Sequence, residues 1–328
     1  MLADMHTIDI EHAVTVLRQG GLVAFPTETV YGLGADAQNA TALQKVFSAK
    51  GRPVDHPLIV HIADRQQLLD WAVSVSPVAE QLAQAFWPGP LTLILRRAPH
   101  VLDIVTGGQE TIGLRVPNHP IAQKLLHGFG GGIAAPSANR FGHISPTTAE
   151  AVVDELGAAV DVILDGGACE VGLESTIIDL SRDQPAILRP GAITAADIAA
   201  VLDCVVPYSH QDAPRVSGMM LIHYAPRTRT QLVAVHFLPA FLQRLTFEDL
   251  PVVCLARRHP VWQRDKLTWV VMPERSQDYA HELYRVLRDV DKGGFKRIII
   301  ESVPEDAAWD AIRDRLQRAT GSVLHVVS

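Results

Sequence analysis

Two cations stand two residues apart in Lys50-Gly51-Arg52-Pro53. Lysine supplies a compact point charge and arginine a planar fork, so the pair on a stiff turn suits a polyphosphate. Upstream, Pro26-Thr27-Glu28-Thr29-Val30-Tyr31-Gly32-Leu33-Gly34 sets hydroxyls in a turn behind a short apolar strand. Downstream, Pro136-Ser137-Ala138-Asn139 follows Gly130-Gly131-Gly132 and Ile133-Ala134-Ala135, whose small residues at a strand end leave room for a ligand. Thr29, Ser137, Asn139, Ser145, Ser175 and Arg189 complete a set dominated by hydroxyls and cations. Such a set positions charged substrates; it does not point to covalent catalysis. No Ser-His-Asp arrangement, pair of catalytic carboxylates or metal-ligand cluster stands out. Gly32-x-Gly34-x-x-Ala37 imitates a dinucleotide fingerprint, but Pro-Thr-Glu-Thr separates it from the strand and Asp55 lies in a proline-flanked turn.

The elements that must hold these residues read as follows. Asp9 caps a helix carrying Ile10, Ala13, Val14 and Leu17, and Gly20-Gly21 stops it. Leu22 to Phe25 is a buried strand, and a loop runs from Pro26 through Gly34. Asn39 caps the helix that delivers Lys50 at its C-terminal end, where a cation is favoured anyway. Pro57 to Ile62 and Leu91 to Leu95 are strands. His56 and His61 fall on opposite faces if the first is regular, which argues against a shared metal. In Thr111 to Val116, Ile112, Leu114 and Val116 share one face, and Thr111, Gly113 and Arg115 share the other. That second face is either solvated or lines a site. Thr147 and Glu150 form a capping box, and strands follow at Val160 to Leu164, Ile177-Ile178 and Ala186 to Leu188.

At 328 residues the prior is about two domains. Composition shifts at residues 207–230, where prolines and basic residues gather without periodicity. The division is therefore 1–206, a linker or lid at 207–230, and a small parallel α/β unit at 231–328. Residues 1–230 hold 15 Lys+Arg against 23 Asp+Glu, so any anion site near Lys50 is local, and a general nucleic-acid surface is disfavoured. Cys169, Cys204 and Cys254 are too far apart for a Cys-x-x-Cys site and read as buried free thiols of a cytoplasmic protein. No signal peptide or membrane span is evident.

Taken together and in order, the Pro26–Gly34 stretch, Lys50-x-Arg52, Ser137-Ala138-Asn139 and His223-Tyr224-Ala225-Pro226 resemble the YrdC-type threonylcarbamoyl-AMP synthases, in their long two-domain form. The resemblance implies a YrdC-like twisted open mixed sheet with helices, followed by a Rossmann-like C-terminal domain. It implies a nucleotidyltransferase that joins L-threonine, bicarbonate or carbon dioxide and ATP into threonylcarbamoyl-AMP, with Mg²⁺ accompanying ATP. Downstream proteins would transfer the group to tRNA. It implies Lys50, Arg52, Ser137 and Asn139 as catalytic. His56, Thr111, Ser145, Arg189 and Tyr224 join Lys50, Arg52 and Ser137 as ATP contacts, and Thr29, His61, Arg115, Ala135 and Ser175 form the threonine side. Some members carry Asn at the position of His56, and relatives commonly have Pro where this chain has Ser217. The alternatives are an RNA-binding module of the same fold and a carbamoyl-transfer enzyme with a related domain.

Overall fold

The computed structural model describes residues 6–7, 9–208, 212–218, 220, 223–260 and 262–321; Met219 of the linker lies outside them. The chain forms two compact units, Met1–Phe141 with Ser145–Met219, and Gly142–Ile144 with Met220–Ser328. The break thus falls inside the proline-bearing stretch rather than at either end of it.

The first unit begins with β1 (His6–Thr7) and α1 (Ile10–Arg18), and Asp9 caps α1 by accepting the His12 N–H at 2.9 Å. β2 (Val23–Phe25) follows, paired antiparallel with β3 (Gly32–Asp36). The stretch expected to be loop through Gly34 is therefore a strand from Gly32 onward. Its glycines answer to packing: a Cβ at Gly34 would stand 2.8 Å from the side chains of Phe25 and Ile133. Asn39 accepts the N–H groups of Thr41 and Ala42 to start α2 (Ala40–Lys50), and Gly51, at a φ of 61°, ends it.

Next come β4 (Ile59–His61), α3 (Leu68–Trp71), α4 (Pro77–Phe86) and β5 (Leu91–Arg96). Then α5 (Asp103–Thr106), β6 (Thr111–Arg115), α6 (Pro120–Phe129) and β7 (Ile133–Ala134) follow. α7 (Ala149–Leu156) is capped by Thr148, which accepts the Ala151 N–H at 3.2 Å. The expected cap at Thr147 is thus one residue early; Thr147 is buried and its carbonyl accepts the Cys169 N–H. β8 (Val162–Leu164), β9 (Thr176–Asp179), β10 (Ala186–Arg189) and α8 (Ala195–Leu202) close the unit.

These strands form one mixed sheet in the order β1-β8-β2-β3-β7-β4-β6-β5-β9-β10. Its core lies in separate apolar clusters. One gathers Leu82, Leu93, Leu114 and Ile198, so α4 and α8 pack on the β5–β6 region. Another joins α1 and α6 through Leu17, Leu125 and Leu126. Each such side chain, fully buried, contributes about 1.5–3 kcal/mol. The sheet therefore fixes a rigid frame from which the polar loop residues project.

The second unit contains β11 (Thr230–Val233), α9 (Leu238–Gln243), β12 (Val252–Ala256), β13 (Leu267–Val271), α10 (Ser276–Asp291), β14 (Arg297–Glu301) and α11 (Asp310–Thr320). All pairings in the order β11-β14-β12-β13 are parallel. The sequence reading omits β13, an edge strand with exposed Thr268 and Val271 and only partly buried neighbours. Cys169 and Cys254 are buried free thiols, but Cys204 is exposed, because it lies just past the end of α8. No helix among the described residues is long and apolar enough to cross a membrane.

Candidate active site

Lys50 ends α2 with its side chain buried, and its Nζ donates to the carbonyl oxygens of Ser137 and Asn139, each at 2.5 Å. The Phe141 N–H returns a bond to the Lys50 carbonyl at 2.8 Å. The Ser137-Ala138-Asn139 turn is thereby clamped onto the helix end. Burial first, and the Arg52 charge second, hold the Lys50 pKa well below the usual lysine range. Arg52, past the left-handed Gly51, donates through Nη2 to the Pro57 carbonyl at 2.9 Å and the Ser217 hydroxyl at 3.1 Å. Its guanidinium lies 5.9 Å from the Phe141 ring, and the His56 imidazole stands 5.2 Å from the same ring. Burial, then Arg52, lowers the His56 pKa. Arg189, the last residue of β10, donates to the Ser175 carbonyl at 2.8 Å, the Ser175 hydroxyl at 3.2 Å and the Ser217 carbonyl at 2.8 Å.

A second group is built on β4 and β6. Their register sets His61 directly beside Arg115. Arg115 forms a buried ion pair with Glu28 at 2.7 Å and donates to the Thr29 hydroxyl at 3.0 Å and the Gly89 carbonyl at 3.3 Å. Glu28 also accepts the Asn118 N–H at 2.9 Å. Burial first, then the Arg115 charge, brings the His61 pKa down to about 3, so its ring is neutral at physiological pH. Ala135 is buried beside these strands, its N–H bonded to the Ile59 carbonyl at 2.9 Å. Ser175 shares a hydrogen bond with Thr92 at 2.7 Å. Because Arg189 grips Ser175, the expected nucleotide and threonine residues meet at that one serine.

The remaining candidates are distributed as follows. Asn139 is buried and its amide donates to the Arg140 carbonyl. Ser145 is buried and donates to Glu174 at 2.5 Å. Thr111 and Gly113 line a small crevice of about 10 Å³ together with Arg215, Val216 and Ser217. Val216 packs with Ile94, Ile177 and Leu188, and Arg215 exchanges backbone bonds with the Gln109 amide at 2.7 and 3.0 Å. This end of the linker therefore lies across the first unit. Tyr224 belongs to the second unit, where it is buried, stacked on Tyr284 at 5.7 Å and covered by the Arg315 guanidinium at 5.3 Å.

Three residues of the arrangement escape the sequence reading. Glu28 neutralises Arg115, Glu174 holds Ser145, and Ser217 binds both Arg52 and Arg189. The available signal was an acidic residue set among hydroxyls, as in Thr27-Glu28-Thr29 and Glu174-Ser175-Thr176.

Comparison with known proteins bears on the whole chain. Residues 15–191 match the Sua5/YciO/YrdC family, described as telomere recombination, and residues 193–321 match the threonylcarbamoyl-AMP synthase C-terminal domain. A threonylcarbamoyl-AMP synthase of Bacillus subtilis is 41% identical over 95% of this chain and 93% of its own length. One from Pyrococcus abyssi is 38% identical over 95% and 94%. The crystal structure of P. abyssi Sua5 complexed with L-threonine superposes with a TM-score of 0.85 at 36% identity, covering 95% of this chain and 94% of that one.

Proposed function

Since this chain belongs to the Sua5/YrdC family in its two-domain form, we propose a division of labour among its residues for the reaction of that family. The reaction makes threonylcarbamoyl-AMP and pyrophosphate from L-threonine, bicarbonate or carbon dioxide and ATP, for threonylcarbamoyl modification of adenosine in tRNA. The threonine amine loses a proton and captures carbon dioxide as a carbamate. A carbamate oxygen then attacks the α-phosphorus, and pyrophosphate leaves. The protein must align nucleophile and phosphorus while screening the repulsion between two anions.

The observation that carries our assignment is the grip of Arg189 on Ser175. It brings a phosphate-binding cation against a residue of the amino-acid side, so a carbamate formed on one side adjoins the α-phosphate on the other. Lys50, Arg52 and Arg189 receive the triphosphate, with Ser137, Ser145, Thr111 and His56 around the nucleotide. Arg115 takes the threonine carboxylate, and Thr29, Ser175 and the Ala135 backbone surround the rest. Neutral His61 is suited to accept a hydrogen bond from the amine or hydroxyl of threonine. Mg²⁺ arrives with ATP and lowers the charge of its phosphates; the Asn139 amide oxygen, beside the seat of Lys50, is the neutral donor suited to it. The product passes to proteins that transfer the group to tRNA.

The test is pyrophosphate release from ATP by the full chain. It should require L-threonine and bicarbonate together. Release that persists without threonine would overturn the assignment. The RNA-binding and carbamoyl-transfer alternatives are not favoured, since relatives spanning 95% of the chain are synthases.

A further inference from the structure

The second unit holds a cavity of about 110 Å³ at the carboxyl ends of its parallel strands. Val235 lies just past β11, Arg258 just past β12, and Glu301 is the last residue of β14. Open parallel sheets bind their ligands at this end. The lining is mainly apolar: Leu238 and Leu242 from α9, with Trp262 and Trp269, both packed against the core of this unit.

The single carboxylate is Glu301, 2% exposed. Its Oε2 accepts the Arg257 N–H at 3.0 Å. Its Oε1 lies 3.3 Å from Nε of Arg258, whose side chain is 70% exposed. An ion pair to so exposed an arm is weak, so a ligand can displace it at little cost. The Nε of Arg257 also stands 3.7 Å from Oε2, with its guanidinium 5.3 Å from the Trp309 ring. Glu301 is thus a buried carboxylate in a largely apolar pocket that two tryptophans help to line, and each of its oxygens keeps a lone pair for a further donor.

We propose that this pocket binds the guanine base of a nucleotide. Indoles stack on any base, so the walls select for a flat ring and not for its identity. The carboxylate adds the choice. A carboxylate accepts two parallel hydrogen bonds from adjacent donors. Guanine presents N1–H beside its N2 amino group. Adenine and cytosine set one amino donor beside a ring acceptor, which would face the carboxylate, and uracil flanks its single N–H with carbonyls. The cavity is smaller than the roughly 300–1,000 Å³ of drug-sized pockets, so it takes one ring system and leaves sugar and phosphate outside. At the mouth stand His259 and Arg258, and Arg258, released from Glu301, is free to pair with the phosphate. The source is either a free guanine nucleotide or a guanine in a single strand of RNA; the recognition chemistry is the same.

The experiment is calorimetric titration of the full chain with its catalytic site filled by L-threonine and a non-hydrolysable ATP analogue. GMP, AMP, CMP and UMP are titrated separately, alongside short oligoribonucleotides that differ by one G or A. GMP or the G-containing strand should bind at least about tenfold more tightly than its counterparts, and the tighter of the two identifies the source. Glu301→Gln should remove the preference for guanine. Trp269→Ala should weaken every base by about tenfold. Arg258→Ala, at an exposed side chain, should weaken GMP but leave guanosine unchanged. Melting curves establish that each variant is folded. Absence of binding by both G-bearing ligands, or a base preference unchanged in folded Glu301→Gln, overturns the proposal.

Discussion

Lys50 and Arg115 are both buried cations of the first unit, yet they are held in opposite ways. Lys50 is met by two carbonyl oxygens. Arg115 is met by a carboxylate. A carbonyl orients a cation without cancelling its charge, whereas Glu28 neutralises Arg115 on the spot. The difference fits two kinds of anion. A triphosphate carries several charges and needs a site with positive charge to spare. An amino-acid carboxylate carries one charge beside an ammonium, and a pre-neutralised arginine still offers its directional donors. Charge stored on one side and geometry stored on the other would let both substrates bind without one attracting the other's place.

Removing the carboxylate is the harshest way to break this contrast. Glu28→Ala leaves Arg115 as an uncompensated buried charge, and the fold should lose about 3–5 kcal/mol. Denaturant unfolding measures it; a loss below about 1 kcal/mol would mean that Arg115 had found water or another partner. Lys50→Ala and Arg52→Ala should act on function more than on the fold. Each removes a charge-assisted phosphate contact worth about 1.5–3 kcal/mol or more and should bring synthesis close to zero. Pyrophosphate release near the unmutated rate at limiting ATP would take these residues out of the site. Arg115→Ala should raise the threonine requirement more than the ATP requirement; equal changes in both apparent constants would dissolve the division into two sides.

The next effect is one of protons. The Lys50 pKa is lowered in the free protein, so its charge fades as pH climbs through a range where an ordinary lysine remains charged. Phosphate favours the charged form. ATP binding should therefore take up protons in that range, and affinity should fall as pH rises through it. Calorimetry in buffers of different ionisation enthalpy reads the uptake directly. Lys50→Arg should abolish it, because arginine never titrates there. The smallest expected effect belongs to Ser217→Ala, which frees Arg52 from one hydrogen bond worth about 0.5–1.5 kcal/mol. ATP should bind a few-fold more tightly; weaker binding would instead mark Ser217 as holding Arg52 in its working position.

What the sequence revealed follows the distance over which each cause acts. The seat of Lys50 was legible because Asn39, the apolar spacing and Gly51 define α2 within a dozen residues. The faces of β6 were legible because alternation is local, though only the structure decides that Gly113 and Arg115 are buried. Glu28 and Arg115 are far apart in the chain, and nothing local announces that they meet. Thr147 and Thr148 are chemically equivalent caps until tertiary packing buries one of them. β3 was misread because glycine marks both turns and close strand packing, and the ring of Phe25 settles which.

The seat of Lys50 has a consequence for heredity. Both acceptors are main-chain oxygens, those of Ser137 and Asn139. Every amino acid supplies the same carbonyl, so a codon change at either position leaves the lysine's immediate partners in place as long as the turn keeps its path. The cation can thus outlast drift in the residues that cradle it, while those side chains are free to be tuned for the nucleotide. Damage to the seat must come from elsewhere: an insertion or deletion in the 136–141 turn, or a proline that bends it, would remove both acceptors in a single event.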